Sequence, residues 1–198
     1  MHNQSGGSLL TSLTQDTRSK IIPVIEQKAQ LSRVFDIPSA RAVLLRHCNL
    51  FELTGFLERA RQRQIPTYVS IDHIDGIHAD SAGIRCLSER MSITGIISTH
   101  PRVLAIAKDY GLETIQRMYV LDSTGLDAAL EALDTSIIDM LDISPALVIP
   151  HVIPRLLAPL PLPFLASGLV LEAEHIRSVL RNGASGIFVS RDDLWSVA

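Results

Sequence analysis

The sequence predicts an α/β fold with parallel strands, because eight short apolar segments of β-strand composition begin 19 to 28 residues apart. That spacing is typical of repeated strand–helix units, and continuous apolar runs are typical of strands that are buried on both faces. A chain of 198 residues fits one domain. We therefore predict a compact TIM-barrel-like (β/α) barrel over residues 20–198, with a doubly wound open sheet as the structural alternative.

The eight predicted strands are Ile21–Ile25, Ala42–Cys48, Thr67–Ile74, Gly95–Thr99, Thr114–Leu121, Ile137–Ser144, Pro163–Val170 and Gly186–Ser190. Helical signals fill the gaps between them. Pro101 is well placed as a first helical residue, and Ser123 or Thr124 can cap the helix after the fifth strand. Gly183 provides a left-handed stop for the last long helix. Between Leu147 and Leu160, prolines limit any helix to about two turns.

The ends of the chain and its apolar stretches predict no membrane segment. Residues 1–19 are rich in Ser, Thr, Gly and Gln, so we expect a disordered N-terminal extension and not a signal peptide. The long apolar run Ile143–Val170 contains too many prolines for a spanning helix. Cys48 and Cys86 show no metal-type spacing and favour a reducing, cytoplasmic location.

Small and polar residues follow the seventh and eighth predicted strands. Ser167 and Gly168 come after the seventh, and Ser190 and Arg191 after the eighth. In barrels that bind phosphate, the site is commonly built from these two loops. A glycine allows close approach of the backbone, hydroxyl groups donate hydrogen bonds, and an arginine neutralises charge. The pattern predicts a phosphate site there.

Carboxylates and imidazoles cluster after the third strand, and this invites a metal hypothesis. The cluster consists of Asp72, His73, Asp75, His78 and Asp80. Neighbouring residues of a strand point in opposite directions, and Asp80 is also a good helix cap, so we predict no metal site. We prefer for Asp72 a structural role or hydrogen bonds to ligand hydroxyl groups.

Four further polar residues lie on or beside the predicted strand ends: Ser98, Gln116, Arg117 and Asp122. Alternation sends only one of Gln116 and Arg117 inward. An inward Arg117 needs a partner, for which Asp72, Asp122 or a ligand phosphate could serve; an outward Arg117 would pair with a helix carboxylate. Ser98 and Asp122 are ordinary capping residues as well as candidate ligand donors.

These motifs, taken in order, resemble the glycerol-3-phosphate-responsive antiterminator family. The resemblance covers about residues 21–195. It rests on segments Ile71–Gly83, Gly95–Thr99, Ile115–Leu126, Asp139–Pro145, Pro163–Gly168, Asn182–Ala184 and Ser190–Trp195.

The resemblance implies a TIM-barrel-like fold, glycerol 3-phosphate as effector, no further cofactor, and binding to the leader mRNA of a glycerol operon to prevent premature termination. By match of motif, Gly168 and Ser190 with their neighbours would hold the phosphate. Asp72, Gln116 and Arg117 would lie where glycerol contacts or the switch are expected. The oligomeric state is open, with a homo-oligomer among the alternatives.

Three loops depart from the family pattern. Ser167 replaces the first glycine of a pair, Ala146 replaces a glycine after the sixth strand, and Arg191 replaces a smaller polar residue. A residue other than glycine restricts the backbone, so these departures bear directly on the phosphate loop.

The charge of the chain limits how it could contact RNA. A net charge of -3 means that any contact with nucleic acid must be local. Arg59, Arg61 and Arg63 could contact phosphates, but for this cluster alone we favour a solvated helix face.

Two other classes of function fit the same residues. One is a phosphate-binding enzyme, an isomerase or lyase, with Asp72, His73 or Asp75 as acid and base. The other is a ligand sensor that acts through a protein partner without RNA. We favour a non-enzymatic regulator.

Overall fold

A computed structural model of the protein describes residues 20–156 and 158–197, together with Leu9 and Leu13. Eight parallel strands close into a barrel. They are β1 Ile21–Ile25, β2 Val43–Leu45, β3 Thr67–Ser70, β4 Gly95–Ser98, β5 Glu113–Tyr119, β6 Met140–Ser144, β7 Phe164–Ala166 and β8 Gly186–Val189.

Helices follow the strands on the outside of the barrel. They are α1 Gln30–Arg33, α2 Leu50–Gln62, α3 Ser81–Arg85, α4 Pro101–Asp109, α5 Ser123–Glu131, α6 Ile149–Val152 and α7 Ala173–Arg181. The α3 helix continues as a π-helical turn, Cys86–Arg90. A short parallel ribbon, Cys48–Asn49 with Ile74–Asp75, joins the loops after β2 and β3.

The predicted barrel is confirmed, and the open sheet is excluded because β1 pairs with β8, Ile21 lying opposite Ile187. Each of the eight predicted segments contains a strand. Pro101 begins α4 as predicted, and Gly183 has a φ of +93° after α7. The predicted cap at Ser123 or Thr124 is wrong, because the Asp122 carboxylate accepts the hydrogen bond from the Gly125 amide, at 2.7 Å.

Two cores result from the alternation of side chains along the strands. One lies between the barrel and its helices. The other fills the barrel interior and consists of Leu9, Leu13, Ile22, Val24, Ala42, Leu44, Tyr68, Ile97, Ile115, Met140, Leu165 and Phe188. Burial of this apolar set supplies much of the driving force for closing the barrel.

Leu9 and Leu13 are helical, buried and part of the interior core. The Leu9 amide donates to the Tyr68 hydroxyl at 3.2 Å and lies 3.3 Å from a Glu113 carboxylate oxygen. At these two positions the structure therefore has ordered packing where the sequence predicted disorder. The rest of the predicted extension, residues 1–19, lies outside the described residues and stays a prediction.

None of the described helices combines the length and the apolar character that a membrane crossing requires.

Candidate functional site

The barrel interior changes from apolar to polar at the carboxyl ends of its strands. In β5 the interior position passes from Ile115 to Arg117, and in β6 from Met140 to Asp142, two residues further along. Both polar side chains are buried. We call this end of the interior the mouth. By the same alternation it also receives Glu26, Arg46, Ser70, Ser144, Ser167 and Ser190.

A buried ion pair lies at the centre of the mouth. The Arg117 Nε donates to Asp142 Oδ2 at 2.7 Å, and the two side chains are 3% and 0% exposed. Burial opposes the positive charge, but Asp142 outweighs it, so the pKa of Arg117 lies above its ordinary value. Arg117 Nη1 lies 3.4 Å from the Ser70 hydroxyl.

This pair is incompletely satisfied. Arg117 Nη2 and Asp142 Oδ1 are both buried and have no hydrogen-bond partner among the described residues. A buried polar atom without a partner is costly, and native proteins place such atoms where a ligand or water completes the bonding. The mouth therefore offers one free donor and one free acceptor, side by side.

A second ion pair joins the loops after β1 and β2. Arg46 Nη2 and Glu26 Oε1 are 2.7 Å apart, and Arg46 Nε is buried without a partner in the described part of the chain. Gln30 braces the loop that carries Glu26: its Oε1 accepts from the Glu26 amide at 2.9 Å, and its Nε2 donates to the Ser190 carbonyl at 2.8 Å. The loops after β1, β2 and β8 are thus joined.

His73 connects the mouth to the short ribbon. Its Nδ1 lies 3.1 Å from the Ser70 hydroxyl, and its ring meets the His47 ring edge-on with centroids 4.8 Å apart. Burial lowers the pKa of His73, and the neighbouring His47, Arg46 and Arg117 lower it further. The imidazole is therefore neutral at physiological pH and can exchange hydrogen bonds with Ser70.

The loop after β7 contains two successive residues with positive φ. Gly168 has a φ of +81°, and Leu169 follows with +57°. A Cβ on Gly168 would lie 2.8 Å from the Ser144 hydroxyl oxygen, so only glycine fits. The loop is held because the Ala146 amide donates to the Ser167 carbonyl at 2.6 Å. Neither the Gly168 nor the Leu169 amide donates to another described backbone group, which leaves both N–H groups for an anion.

The loop after β8 contains the predicted phosphate-site residues Ser190 and Arg191. Ser190 lies at the carboxyl end of β8 on the interior side, next to the phosphate loop predicted from the sequence. Arg191 is exposed and makes two hydrogen bonds to Asp193, at 3.1 and 2.8 Å. These bonds raise the pKa of Arg191. Its charge is shared with a carboxylate of its own loop, and its role as a phosphate ligand stays a prediction.

Three of the predicted ligand residues have structural partners outside the mouth. Asp72 Oδ1 accepts from the Ser98 hydroxyl at 2.7 Å, and its Oδ2 accepts from the Thr99 amide at 2.9 Å. Asp72 and Ser98 therefore fasten the loop after β3 to the loop after β4. Asp122 is the cap of α5. Any ligand role for these residues stays a prediction.

Arg117 and Gln116 are separated by the alternation of β5. Because Arg117 points into the mouth, Gln116 points toward the helices, where its half-buried side chain has an unpaired Oε1 among the described residues. The structure thus does not bring Gln116 to the mouth. The alternative prediction of an outward Arg117 is wrong. Inside the barrel Arg117 pairs with Asp142, and not with Asp72 or Asp122.

The metal hypothesis finds no support in the side-chain positions. In the part of the chain that the structure describes, no three His, Cys, Asp or Glu side chains converge on one point. Asp80 is the cap of α3 and accepts from the Gly83 amide at 2.8 Å.

The mouth residues Glu26, Arg46, Ser70 and Asp142 are among those that were not assigned to the site from the sequence. A signal for them existed, since each lies two residues beyond an apolar interior position of its strand. Using it required the register of each strand, which the sequence alone leaves open by one residue.

Taken together, the fold and the mouth define a small (β/α)8 barrel with a candidate site for a polar ligand at the carboxyl ends of its strands. Residues 21–195 match the model of the family described as "Glycerol-3-phosphate responsive antiterminator", and the chain belongs to that family.

Two solved structures share the fold of this chain. The chain is similar to a glycerol uptake operon antiterminator regulatory protein from Listeria monocytogenes, with 21% identity, a TM-score of 0.80, and coverage of 93% of this chain and 98% of that one. A glycerol uptake operon antiterminator-related protein from Thermotoga maritima gives 23% identity, a TM-score of 0.75, and coverage of 90% and 99%. At these identities the likeness shows the fold alone.

Among curated proteins, the chain is 20% identical over 181 residues to the uncharacterized protein YgcP of Escherichia coli, covering 91% of this chain and 94% of that one. Barrels of similar fold also include enzymes, at 12% and 15% identity.

Proposed function

We propose that this protein regulates glycerol catabolism: it binds glycerol 3-phosphate in the mouth and a glycerol-operon leader mRNA elsewhere, and thereby promotes transcription antitermination. The observation that carries the ligand half is the buried Arg117–Asp142 pair, whose Nη2 and Oδ1 have no partner among the described residues. The family description supplies the ligand and the regulatory role.

Glycerol 3-phosphate has hydrogen-bonding groups that could pair with the unpaired donors and acceptors of the mouth. Its hydroxyl groups both donate and accept, so one of them can donate to Asp142 Oδ1 while accepting from Arg117 Nη2. Its phosphate needs several donors and a positive environment. The N–H groups of Gly168 and Leu169, the hydroxyl of Ser190 and the guanidinium of Arg46 are suitable donors for the phosphate.

The RNA half of the proposal rests on the family description alone. This half of the proposal requires that the protein act in the cytoplasm, where the nascent transcript is. It requires no turnover of the ligand. The competing enzyme would convert a phosphorylated triose or polyol. The competing protein-directed sensor would bind glycerol 3-phosphate without affinity for RNA.

Calorimetric titration with glycerol 3-phosphate, glycerol and inorganic phosphate tests the ligand half. We expect binding of glycerol 3-phosphate that exceeds the sum of the two fragments, since the mouth would contact both ends. Ser190→Ala should weaken binding about tenfold, the loss of one hydrogen bond to a charged group. The matched control is Ser185→Ala, because Ser185 precedes the same strand at the opposite end of the barrel.

Equal affinities for phosphate and glycerol 3-phosphate would contradict the proposed ligand. The RNA half is tested by fluorescence anisotropy with a labelled glycerol-operon leader transcript, with and without glycerol 3-phosphate. Ligand binding without any RNA binding would favour the protein-directed sensor. Consumption of glycerol 3-phosphate, followed by NMR, would favour the enzyme.

A further inference from the structure

A groove on the outside of the barrel runs between the loop after β1 and the helix α2. It has a volume of about 430 Å³, within the range of ligand sites. Its floor is formed by the apolar side chains of Leu31 and Phe56, and Phe51, Lys28 and Arg59 line its edges.

Phe51 is the most exposed large hydrophobic residue of the described chain, with 89% of its surface accessible. It lies in the first turn of α2, beside the Asn49 cap, so its position is fixed by the helix. A single exposed hydrophobic residue needs no explanation by itself, so the significance of Phe51 depends on the groove that it lines.

Gly55 lies one helical turn after Phe51, in the middle of α2. Glycine there lowers the stability of a helix, and crowding gives no reason for it, because a Cβ at Gly55 would meet no atom within 4 Å. The missing side chain leaves the helix backbone open toward the groove. Such an opening lets a flat group lie close to the helix.

Arg59 lies one turn further along the same face. Its guanidinium lies over the Phe35 ring at 4.7 Å from the ring centre, and that ring stacks on Phe56 with centroids 5.2 Å apart. The planar guanidinium is thereby held in place. The one carboxylate lining the groove, Glu52, is engaged by the α2 capping box.

We infer that this groove binds a single-stranded segment of RNA, with a base stacked on Phe51 over Gly55 and the adjoining phosphate beside Arg59 and Lys28. The inference rests on the proposed function, which requires an RNA surface. An exposed ring, an open backbone and a fixed guanidinium at successive turns match the alternation of base and phosphate in a nucleotide chain.

Both walls of the groove are attached to the mouth. The loop that carries Lys28 is held by the Glu26–Arg46 pair and by Gln30, which bonds to Ser190. The start of α2 follows the ribbon that His73 contacts through His47. A ligand in the mouth therefore touches the supports of both walls, which gives it a route to alter RNA affinity.

The decisive variant is Gly55→Gln. It fills the groove, yet it replaces a helical glycine at an open position, so the melting temperature should stay unchanged or rise. We expect the affinity for the labelled leader transcript to fall about tenfold, the loss of one stacked base. Thr54→Gln, with the same new side chain on a neighbouring exposed position, should bind RNA as the wild type does.

Phe51→Ala should give a similar tenfold loss for the same reason, and Leu121→Ala is its control, since Leu121 is 88% exposed in the loop after β5. Arg59→Ala should reduce the salt dependence of RNA binding by about one unit of slope. All these variants should keep wild-type affinity for glycerol 3-phosphate.

Wild-type RNA affinity in both Gly55→Gln and Phe51→Ala would overturn this inference while leaving the proposed function standing. A wild-type protein that binds no RNA would overturn both. Binding of labelled polyglutamate to the same variants tests whether the groove binds an acidic peptide instead of RNA. If polyglutamate binding depends on the groove and RNA does not bind, the inference is overturned.

Discussion

The two ends of the barrel interior both contain buried polar groups, but only one end leaves them unsatisfied. At the amino end, the Tyr68 hydroxyl donates to Glu113 Oε2 at 2.6 Å and accepts from the Leu9 amide. At the carboxyl end, the Arg117–Asp142 pair retains a free donor and a free acceptor within the described residues. The first arrangement satisfies its polar groups within the fold, whereas the second leaves two buried atoms without a partner among the described residues.

The electrostatics of the two ends follow the same division. Burial, and then the Glu113 carboxylate, raise the pKa of Tyr68 well above its ordinary value, so the phenol stays a neutral donor. In the mouth, by contrast, charged groups are kept buried in pairs. Buried ion pairs are poor sources of stability, so the pair in the mouth is not explained by stability alone.

Breaking the buried pair from one side should have the largest effect. Asp142→Ala leaves the Arg117 guanidinium buried without a counterion, so we expect the free energy of unfolding to fall by about 3–5 kcal/mol. Urea denaturation measures the change. Glu89→Ala, which removes an exposed partner of Arg85, is the control and should cost less than about 1 kcal/mol.

The double variant Arg117→Leu with Asp142→Leu separates stability from recognition. Removing both charges should restore most of the lost stability, because no uncompensated charge is left behind. It should nevertheless abolish binding of glycerol 3-phosphate. A double variant that binds the ligand normally would mean that the pair serves the fold alone and that the contrast between the two ends is not functional.

Tyr68→Phe tests the amino end and should have an intermediate effect. It removes the hydroxyl that donates to Glu113, and we expect a loss of about 1–3 kcal/mol of unfolding free energy, the cost of a buried polar group losing its partner. Affinity for glycerol 3-phosphate should be unchanged in calorimetric titration. A large loss of ligand affinity would show that the two ends are coupled through the interior core.

The barrel itself could be predicted because its signals are local and repeated. Most strands are largely apolar runs, and caps and stops such as Pro101 and Gly183 act within a few residues. The error at the start of α5 was also local: Asp122, Ser123 and Thr124 are all good caps, and the structure uses the first. Local chemistry ranks such neighbours poorly.

The ion pair in the mouth could not be predicted in the same way. Arg117 and Asp142 are Cα partners of adjacent strands, and their contact depends on the relative register of β5 and β6. A shift by one residue would turn Arg117 outward, which is why the sequence left both orientations open. Asp72 was similarly ambiguous, because its partners Ser98 and Thr99 lie in the next loop along the barrel.

The smallest expected effect is a dependence of stability on pH that comes from His73. Burial, with His47, Arg46 and Arg117 nearby, lowers the pKa of this imidazole in the folded protein, although Asp72 opposes the shift. Below the unfolded-state value of about 6.5, the unfolded chain binds a proton that the folded protein binds less readily. The free energy of unfolding should therefore decrease as the pH falls from that value toward the folded pKa of His73.

Urea denaturation of the wild type and His73→Gln at several pH values below neutrality measures this contribution. The variant should lose part of the decrease, since glutamine does not titrate, whereas His151→Gln, at an exposed position on α6, should keep it. Identical pH profiles for the wild type and His73→Gln would mean that His73 titrates normally. Arg46 and Arg117 of the mouth would then not influence His73. The proposed connection from the mouth through the ribbon to the groove would lose this support.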